Sequence, residues 1–255
     1  MSVNAGPAEA ALRALTPSQL TFLVRLPKAE LHAHLNGSIP LALLQDLARE
    51  YTPDAGLEES QKTAAGDILA TVQHLQAGIE LSSVDDFFKL FPTIYALTST
   101  PASLKHATRA VLSHFLDPPS FSTSSSATSA AAVVYIELRT TPRETPHMSR
   151  RVYLETVLDE IESRSPHAAS LIVSLDRRMS LEVAREVLEL AVQLRREGRR
   201  VVGVDLCGDP SVRSISFTWP STLGAKIKLK NPPTSAQCDS PLLPNFFFIH
   251  ERRVI

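Results

Sequence analysis

At 255 residues, 44% hydrophobic and 21% charged, the chain is long enough for one large α/β domain or two small ones. Its 26 Lys and Arg stand against 27 Asp and Glu, a formal net charge of −1, so no basic field draws in nucleic acid or anionic lipid, and an anionic ligand would need local positive groups. Two distant cysteines, Cys207 and Cys238, make no disulfide framework, and neither a secretory h-region nor a membrane-length apolar run is present, so a cytosolic chain is expected, binding neither membrane nor nucleic acid.

A polar lead opens the chain, and Thr16-Pro17-Ser18 begins a short helix, with proline at an early helical position. Leu31 to Leu35 reads as a strand, and Asn36-Gly37-Ser38 as the turn that leaves it. Residues 39–117 are mostly helical, with Leu104, Thr108, Val111, Leu112 and Phe115 at helical spacing. Residues 118–130, PPSFSTSSSATSA, gain too little from burial to offset ordering entropy and read as a mobile surface loop.

A buried strand follows in AAVVYIELRTTP, then a helix near 149–163 with Tyr153, Val157, Leu158 and Ile161 on one face. ASLIVSLDRR is a further buried strand. The helix over 181–197 is capped by Ser180 and stopped by Gly198, and RVVGVDLCGDP is a fourth strand. Continuous apolar strands alternating with helices imply a parallel sheet covered on both faces. Each strand also ends in polar residues: His34-Leu35-Asn36, Arg139-Thr140-Thr141, Asp176-Arg177-Arg178, and Asp205 with Asp209. Charges of this kind can simply mark strands emerging into water, but in (β/α)8 barrels that end carries the chemistry.

Beyond Pro210 the pattern stops. Prolines stand at 220, 232, 233, 241 and 244, no helical stripe is sustained, and LLPNFFFI is apolar but unalternating and interrupted by proline. A full barrel takes eight strands and about 250 residues. The expectation is therefore an α/β chain holding about the first four units of a (β/α)8 barrel in residues 1–210, with residues 211–255 an irregular, disordered tail.

The sharpest chemical signal is LPKAELHAHLNGS, residues 26–38. In a strand, residues i and i+2 share a face, so His32 and His34 project together, about 6.5–7 Å apart along the strand, and can converge on one ion. Neutral imidazole is a common ligand for zinc and other borderline divalent metals. Taken alone, a His-x-His pair reads more often as two histidines hydrogen-bonded in a core or exposed by chance than as a metal site.

The whole stretch resembles the first barrel strand of the adenosine/AMP deaminase family. Tyr135-Ile136-Glu137-Leu138-Arg139-Thr140-Thr141-Pro142-Arg143 resembles that family's second-strand motif, Leu175-Asp176-Arg177-Arg178 its third, and Gly203-Val204-Asp205-Leu206-Cys207-Gly208-Asp209-Pro210 its fourth. The resemblance covers roughly residues 20–210 and is nearest to the adenosine deaminase-like branch, the N6-methyl-AMP deaminases.

It implies a zinc hydrolase that deaminates a 6-amino or N6-methyl purine nucleotide, taking N6-methyl-AMP to IMP and methylamine. The metal's part is to acidify water from a pKa of 15.7 towards about 7. On this resemblance His32 and His34 are metal ligands, His34 also lies beside the substrate, and the backbone N–H of Gly208 meets the purine. Asn36 stands where nucleoside deaminases carry Asp. A phosphate brings about −1.5 to −2 charges, which a carboxylate there would repel and a neutral amide would not. Thr140, Thr141, Pro142 and Arg143 form the phosphate end, and Asp176 contacts substrate. Tyr95 stands where relatives often have His, and reads equally as an amphipathic-helix residue.

The family's later motifs are absent after Pro210. No His-x-x-Glu, Gly-His-Gly or Asp-Asp occurs there; His250 has no glutamate three residues on, and Asp239 has no acidic neighbour. No catalytic acid or base is therefore assigned, and the expectation is an incomplete ligand shell without turnover, from a splice or frame alteration. A monomer is expected; the competing reading is a non-catalytic remnant or isoform that binds nucleotide or metal weakly or pairs with an intact subunit. A different metal-dependent amidohydrolase is disfavoured by the Thr-Thr-Pro-Arg and Cys-Gly-Asp-Pro segments.

Overall fold

The computed structural model describes residues 10–11, 13–51, 68–75, 77, 88–117, 133–208, 236–237 and 247–250. Helix α1, Pro17–Arg25, starts as its sequence directs. The Thr16 hydroxyl accepts from the Gln19 N–H, and the Gln19 side chain accepts from the Thr16 N–H, a reciprocal capping box. Strand β1, Lys28–His34, leads into a 3-10 turn at Leu35–Gly37 and then helix α2, Leu41–Glu50. Residues 68–75 are helical. Helix α3 is Phe91–Leu97 and α4 is Pro101–Leu116, the latter capped by Thr100 with Pro101 in its first turn. Leu104, Thr108, Val111 and Leu112 of the anticipated stripe are buried, and Phe115 packs against the same core.

Strand β2, Val133–Thr140, helix α5, Arg150–Glu162, strand β3, Ala169–Asp176, helix α6, Leu181–Arg196, and strand β4, Val201–Cys207, then alternate. Ser149 caps α5 and Ser180 caps α6. Gly198, at φ +85°, ends α6. Its N–H bonds to Arg195 O and the next N–H, from Arg199, reaches back to Leu194 O, so two otherwise orphaned carbonyls are satisfied. The C-terminal carbonyls of α5 are covered by the Arg200 guanidinium, which donates to Ile161 O and Glu162 O.

Strands β1 to β4 pair in parallel in sequence order. Every residue of β3 but the last is buried, as expected of a strand covered on both faces. The core lies between the sheet and α4, α5 and α6; Tyr153, Val157, Leu158 and Ile161 of α5 are all buried in it. The buried Glu160 accepts two hydrogen bonds from the exposed Arg109, at 2.8 and 3.0 Å, joining α5 to α4.

Sequence reading assigned no strand after residue 210. The structure differs. Strand β6, Phe247–His250, pairs in parallel with β4, from Gly203↔Phe247 to Leu206↔His250, and a two-residue strand β5, Ala236–Gln237, pairs antiparallel with β6. The sheet order is β1-β2-β3-β4-β6-β5. Pro244 precedes this strand rather than interrupting it. The Ser-rich segment 118–130 and the rest of 211–255 lie outside the described residues.

Candidate functional site

The polar residues singled out in the sequence fall at or just beyond the C-terminal ends of β1 to β4. On β1 the geometry is not that of a regular strand. Glu30 pairs with Ile136 and Ala33 with Leu138, so two residues of β1, Leu31 and His32, face the single Glu137 of β2. This is a β-bulge, a feature that re-aims side chains and recurs next to functional sites. Leu31 and His32 are both exposed. The two imidazoles lie side by side, as expected of residues i and i+2. Their centroids are 5.1 Å apart, and the Nε2 atoms of His32 and His34 are 3.2 Å apart.

Two nitrogens at that separation can share one hydrogen or one cation. Zinc–nitrogen bonds of about 2.0–2.1 Å in a tetrahedron place neighbouring ligand nitrogens about 3.3 Å apart. The pair therefore fits two corners of a zinc site. Among the described residues, no group of three or more His, Cys, Asp or Glu that could hold a metal ion is formed.

Beside the pair, the end of β1 meets the end of β2 through a buried tyrosine. The Tyr153 hydroxyl shares a hydrogen bond of 2.8 Å with Thr140 Oγ1 and donates to Asn36 Oδ1 at 3.4 Å. Asn36 Nδ2 donates in turn to Thr98 Oγ1 at 3.5 Å. Burial pushes the Tyr153 hydroxyl up to about 12, against the smaller lowering effects of Thr140, Arg143 and Asn36. It stays neutral, and so do Asn36 and Thr140. Both polar ends of the Asn36 amide face protein groups, and the Thr140 hydroxyl faces Tyr153.

Arg143 follows Thr141 and the buried Pro142. Its guanidinium carbon sits 3.2 Å from the centroid of the Tyr95 ring, which also packs at 5.5 Å on Phe91. Cation–π contact of this kind fixes a guanidinium in place. Arg143 Nε is buried and has no hydrogen-bond partner among the described residues. The charge of Arg143 reaches both Tyr153 and Asp176.

At the end of β3, Asp176 is clamped by Arg178. The Arg178 Nε and Nη2 donate to its two oxygens at 2.9 and 2.7 Å, and the Arg178 backbone N–H adds a third bond at 2.8 Å. Burial works to raise the Asp176 pKa, but these bonds and the charges of Arg178 and Arg143 outweigh it and hold the carboxyl below its ordinary value. Gly208 closes the site from β4, at φ +97°. A Cβ there would stand 2.9 Å from Asp176 Oδ1 and 3.3 Å from the Arg177 backbone nitrogen, so only glycine fits. Thr141 Oγ1 lies 3.4 Å from Cys207 Sγ, linking the ends of β2 and β4.

His32 with His34, Asn36 with Thr140, and Asp176 with Gly208 are thus brought together, and Arg143 joins the last two groups electrostatically. Three features escaped sequence reading. Tyr153 looked like a helix-stripe residue, and nothing in its spacing marks the hydroxyl. Arg178 looked like a strand-end charge. Arg139 and Asp205 were noted as polar strand ends, but their buried ion pair, at 2.6 Å, crosses from β2 to β4 and is invisible to local pattern.

Comparison with known proteins adds an independent observation. A family model described as adenosine deaminase matches residues 27–218. The adenosine deaminase-like protein of Drosophila melanogaster is 32% identical over 226 residues, which cover 86% of this chain and 60% of that protein. The N6-methyl-AMP deaminase of Homo sapiens is 31% identical over 223 residues, 84% of this chain and 55% of that one. The crystal structure of Arabidopsis N6-mAMP deaminase superposes with a TM-score of 0.55 at 34% identity, over 75% of this chain and 53% of that chain. Arabidopsis ADAL complexed with IMP gives a TM-score of 0.56 at 33% identity, over 75% of this chain and 52% of that chain. The chain spans about 60% of the length of the first of these curated relatives and about half of the solved structures it matches.

Proposed function

The chain belongs to the adenosine deaminase family, a family of aminohydrolases, and from that premise we propose that a protein built on these four β/α units hydrolyses N6-methyl-AMP to IMP and methylamine at a zinc ion. The observation that carries the reading is the 3.2 Å separation of His32 and His34 Nε2 at the end of β1. His32 and His34 would hold the metal, and the chemistry it supplies when bound is water acidified enough to attack C6 of the purine.

The chain's own residues bind and orient the nucleotide. Arg143, held on Tyr95 with its Nε unsatisfied, offers a cation for the phosphate. Thr141 and Pro142 frame that end, and Asn36 and Thr140 line it without negative charge. Gly208 gives its backbone N–H to the purine beside His34, and Asp176, kept ionised by Arg178, accepts a hydrogen bond from the substrate. Relatives complexed with IMP and with GMP support a purine nucleotide as the ligand class.

Two histidines without a third ligand do not make a catalytic zinc site, and no His-x-x-Glu follows residue 210. The 255 residues by themselves therefore bind metal and nucleotide without turnover, as a cytosolic monomer. The chain is incubated with Zn2+ and N6-methyl-AMP, IMP is followed by chromatography, and IMP binding is measured by calorimetry. Binding without IMP release is expected. Release above the protein-free background would overturn the inactivity, and failure to bind either nucleotide would overturn the substrate. No described helix is long and apolar enough to cross a membrane.

A further inference from the structure

Asn36 lies buried in the 3-10 turn that leaves β1. An amide has an accepting end and a donating end, and its neighbours decide which way round it sits. Thr98, at the end of α3, gives its single hydroxyl proton to Ile94 O at 2.8 Å. Towards Asn36 it can therefore only accept, which requires Nδ2 on that side, at 3.5 Å. On the other side the Tyr153 hydroxyl donates to Oδ1 at 3.4 Å. Tyr153 also has one proton to give, so the Thr140 hydroxyl is the donor in the 2.8 Å bond between those two.

The four side chains form one directed chain, from Thr140 through Tyr153 and Asn36 to Thr98, and it ends on the Ile94 carbonyl. All four are buried. Burial pushes the Tyr153 pKa up to about 12, so its hydroxyl stays a donor at any working pH. The direction matters to an anion. An amide nitrogen carries two N–H groups, and among the described residues Thr98 takes one of them. The second is left to give. Turned over, the amide would set Oδ1 against the Thr98 lone pairs and would offer a nearby anion an acceptor in place of a donor. The cation suited to a phosphate is close by, since the charge of Arg143 acts on Tyr153 itself.

We propose that Tyr153, from its place on α5, is a positioning residue for nucleotide binding: together with Thr98 it holds the Asn36 amide so that a free N–H, and not the carbonyl oxygen, serves the phosphate. This rests on the reading of Arg143 and its neighbours as the phosphate end of a nucleotide site. Tyr153 itself touches no ligand, and its effect runs through Asn36. A ligand that carries the phosphate feels that effect. One with the same base and sugar but no phosphate does not.

The test is calorimetry of IMP and of inosine with the 255-residue chain and its variants, with circular dichroism to establish folding. Tyr153→Phe keeps the ring and removes only the hydroxyl. It should weaken IMP binding about 2- to 10-fold, the weight of one hydrogen bond, and leave inosine binding unchanged. A purely structural role would move both ligands alike, so equal losses, or none for either, would overturn the proposal. In an Asn36→Ala background Tyr153→Phe should cost IMP binding nothing further. A second loss of the same size there would mean that Tyr153 does not act through Asn36, and would overturn it too. Should Tyr153→Phe fail to fold, Thr98→Val decides, since it removes the other anchor of the amide: a loss confined to IMP supports the proposal, and no loss or an equal one overturns it. Arg143→Ala runs in parallel. If it leaves IMP binding at wild-type strength, the phosphate reading has failed and the proposal falls with it; a loss there without one in Tyr153→Phe overturns the proposal alone.

Discussion

The Arg143 guanidinium stands over the Tyr95 ring, 3.2 Å from its centroid. Tyr95 thus supports a cation through the face of its ring. A cation–π contact is worth about 0.5–2 kcal/mol. Tyr95→Leu should weaken IMP binding about 2- to 30-fold while leaving inosine binding unchanged. Calorimetry with both ligands checks this, and equal losses for both would show that Arg143 does not meet the phosphate.

Tyr153 predicts an alkaline signature. Its folded pKa, raised from 10.0 to about 12, means that it contributes stability fully present below pH 10 and lost as pH rises towards 12. Tyr153→Phe removes that term and the 2.8 Å bond to Thr140, at a cost of about 1 kcal/mol near neutral pH. Denaturant unfolding from pH 7 to 11.5 should show the gap between the two proteins closing above pH 10.

Two carboxylates predict the acid limb. The hydrogen bonds from Arg109 lower the Glu160 pKa, against burial and with help from the charges of Arg109 and Lys105. Asp176 is lowered against burial by Arg178 and Arg143. A depressed folded pKa contributes stability present above the ordinary values of 4.5 and 3.8 and lost as pH falls through the folded values. Arg109→Ala and Arg178→Ala should each move the acid-unfolding midpoint to higher pH, read by circular dichroism.

Gly198 and Gly208 both have positive φ but differ in surroundings. A Cβ at Gly198 meets nothing within 4 Å, whereas one at Gly208 meets Asp176 Oδ1 at 2.9 Å. Gly198→Ala should therefore cost about 1 kcal/mol of backbone strain. Gly208→Ala should cost more, about 2–3 kcal/mol, and also weaken IMP binding by displacing Asp176. Chemical denaturation and calorimetry on the two variants separate strain from site damage.

Much of this arrangement was legible in the sequence, because it is carried by local signals. Thr16, Ser180 and Gly198 mark helix ends by their own chemistry. The apolar runs at β2, β3 and β4 announce a parallel sheet, and His32 with His34 announces a shared face. The contacts across the sheet were not legible. Arg139 meets Asp205 across 66 positions of sequence and Tyr153 meets Asn36 across 117, separations over which periodicity carries no information. The bulge at Leu31–His32 was hidden for a related reason: a single extra residue leaves no compositional mark. β6 was missed because the prolines around its short apolar run made the whole stretch after Pro210 read as irregular.

Zinc titration of the chain against a competing chelator, repeated with His32→Ala, His34→Ala and both together, bears most directly on the histidine pair. The account predicts one zinc per chain, about tenfold or greater weakening in each single variant, and no further site-specific binding in the double. Zinc affinity that is unchanged when both imidazoles are removed would contradict it.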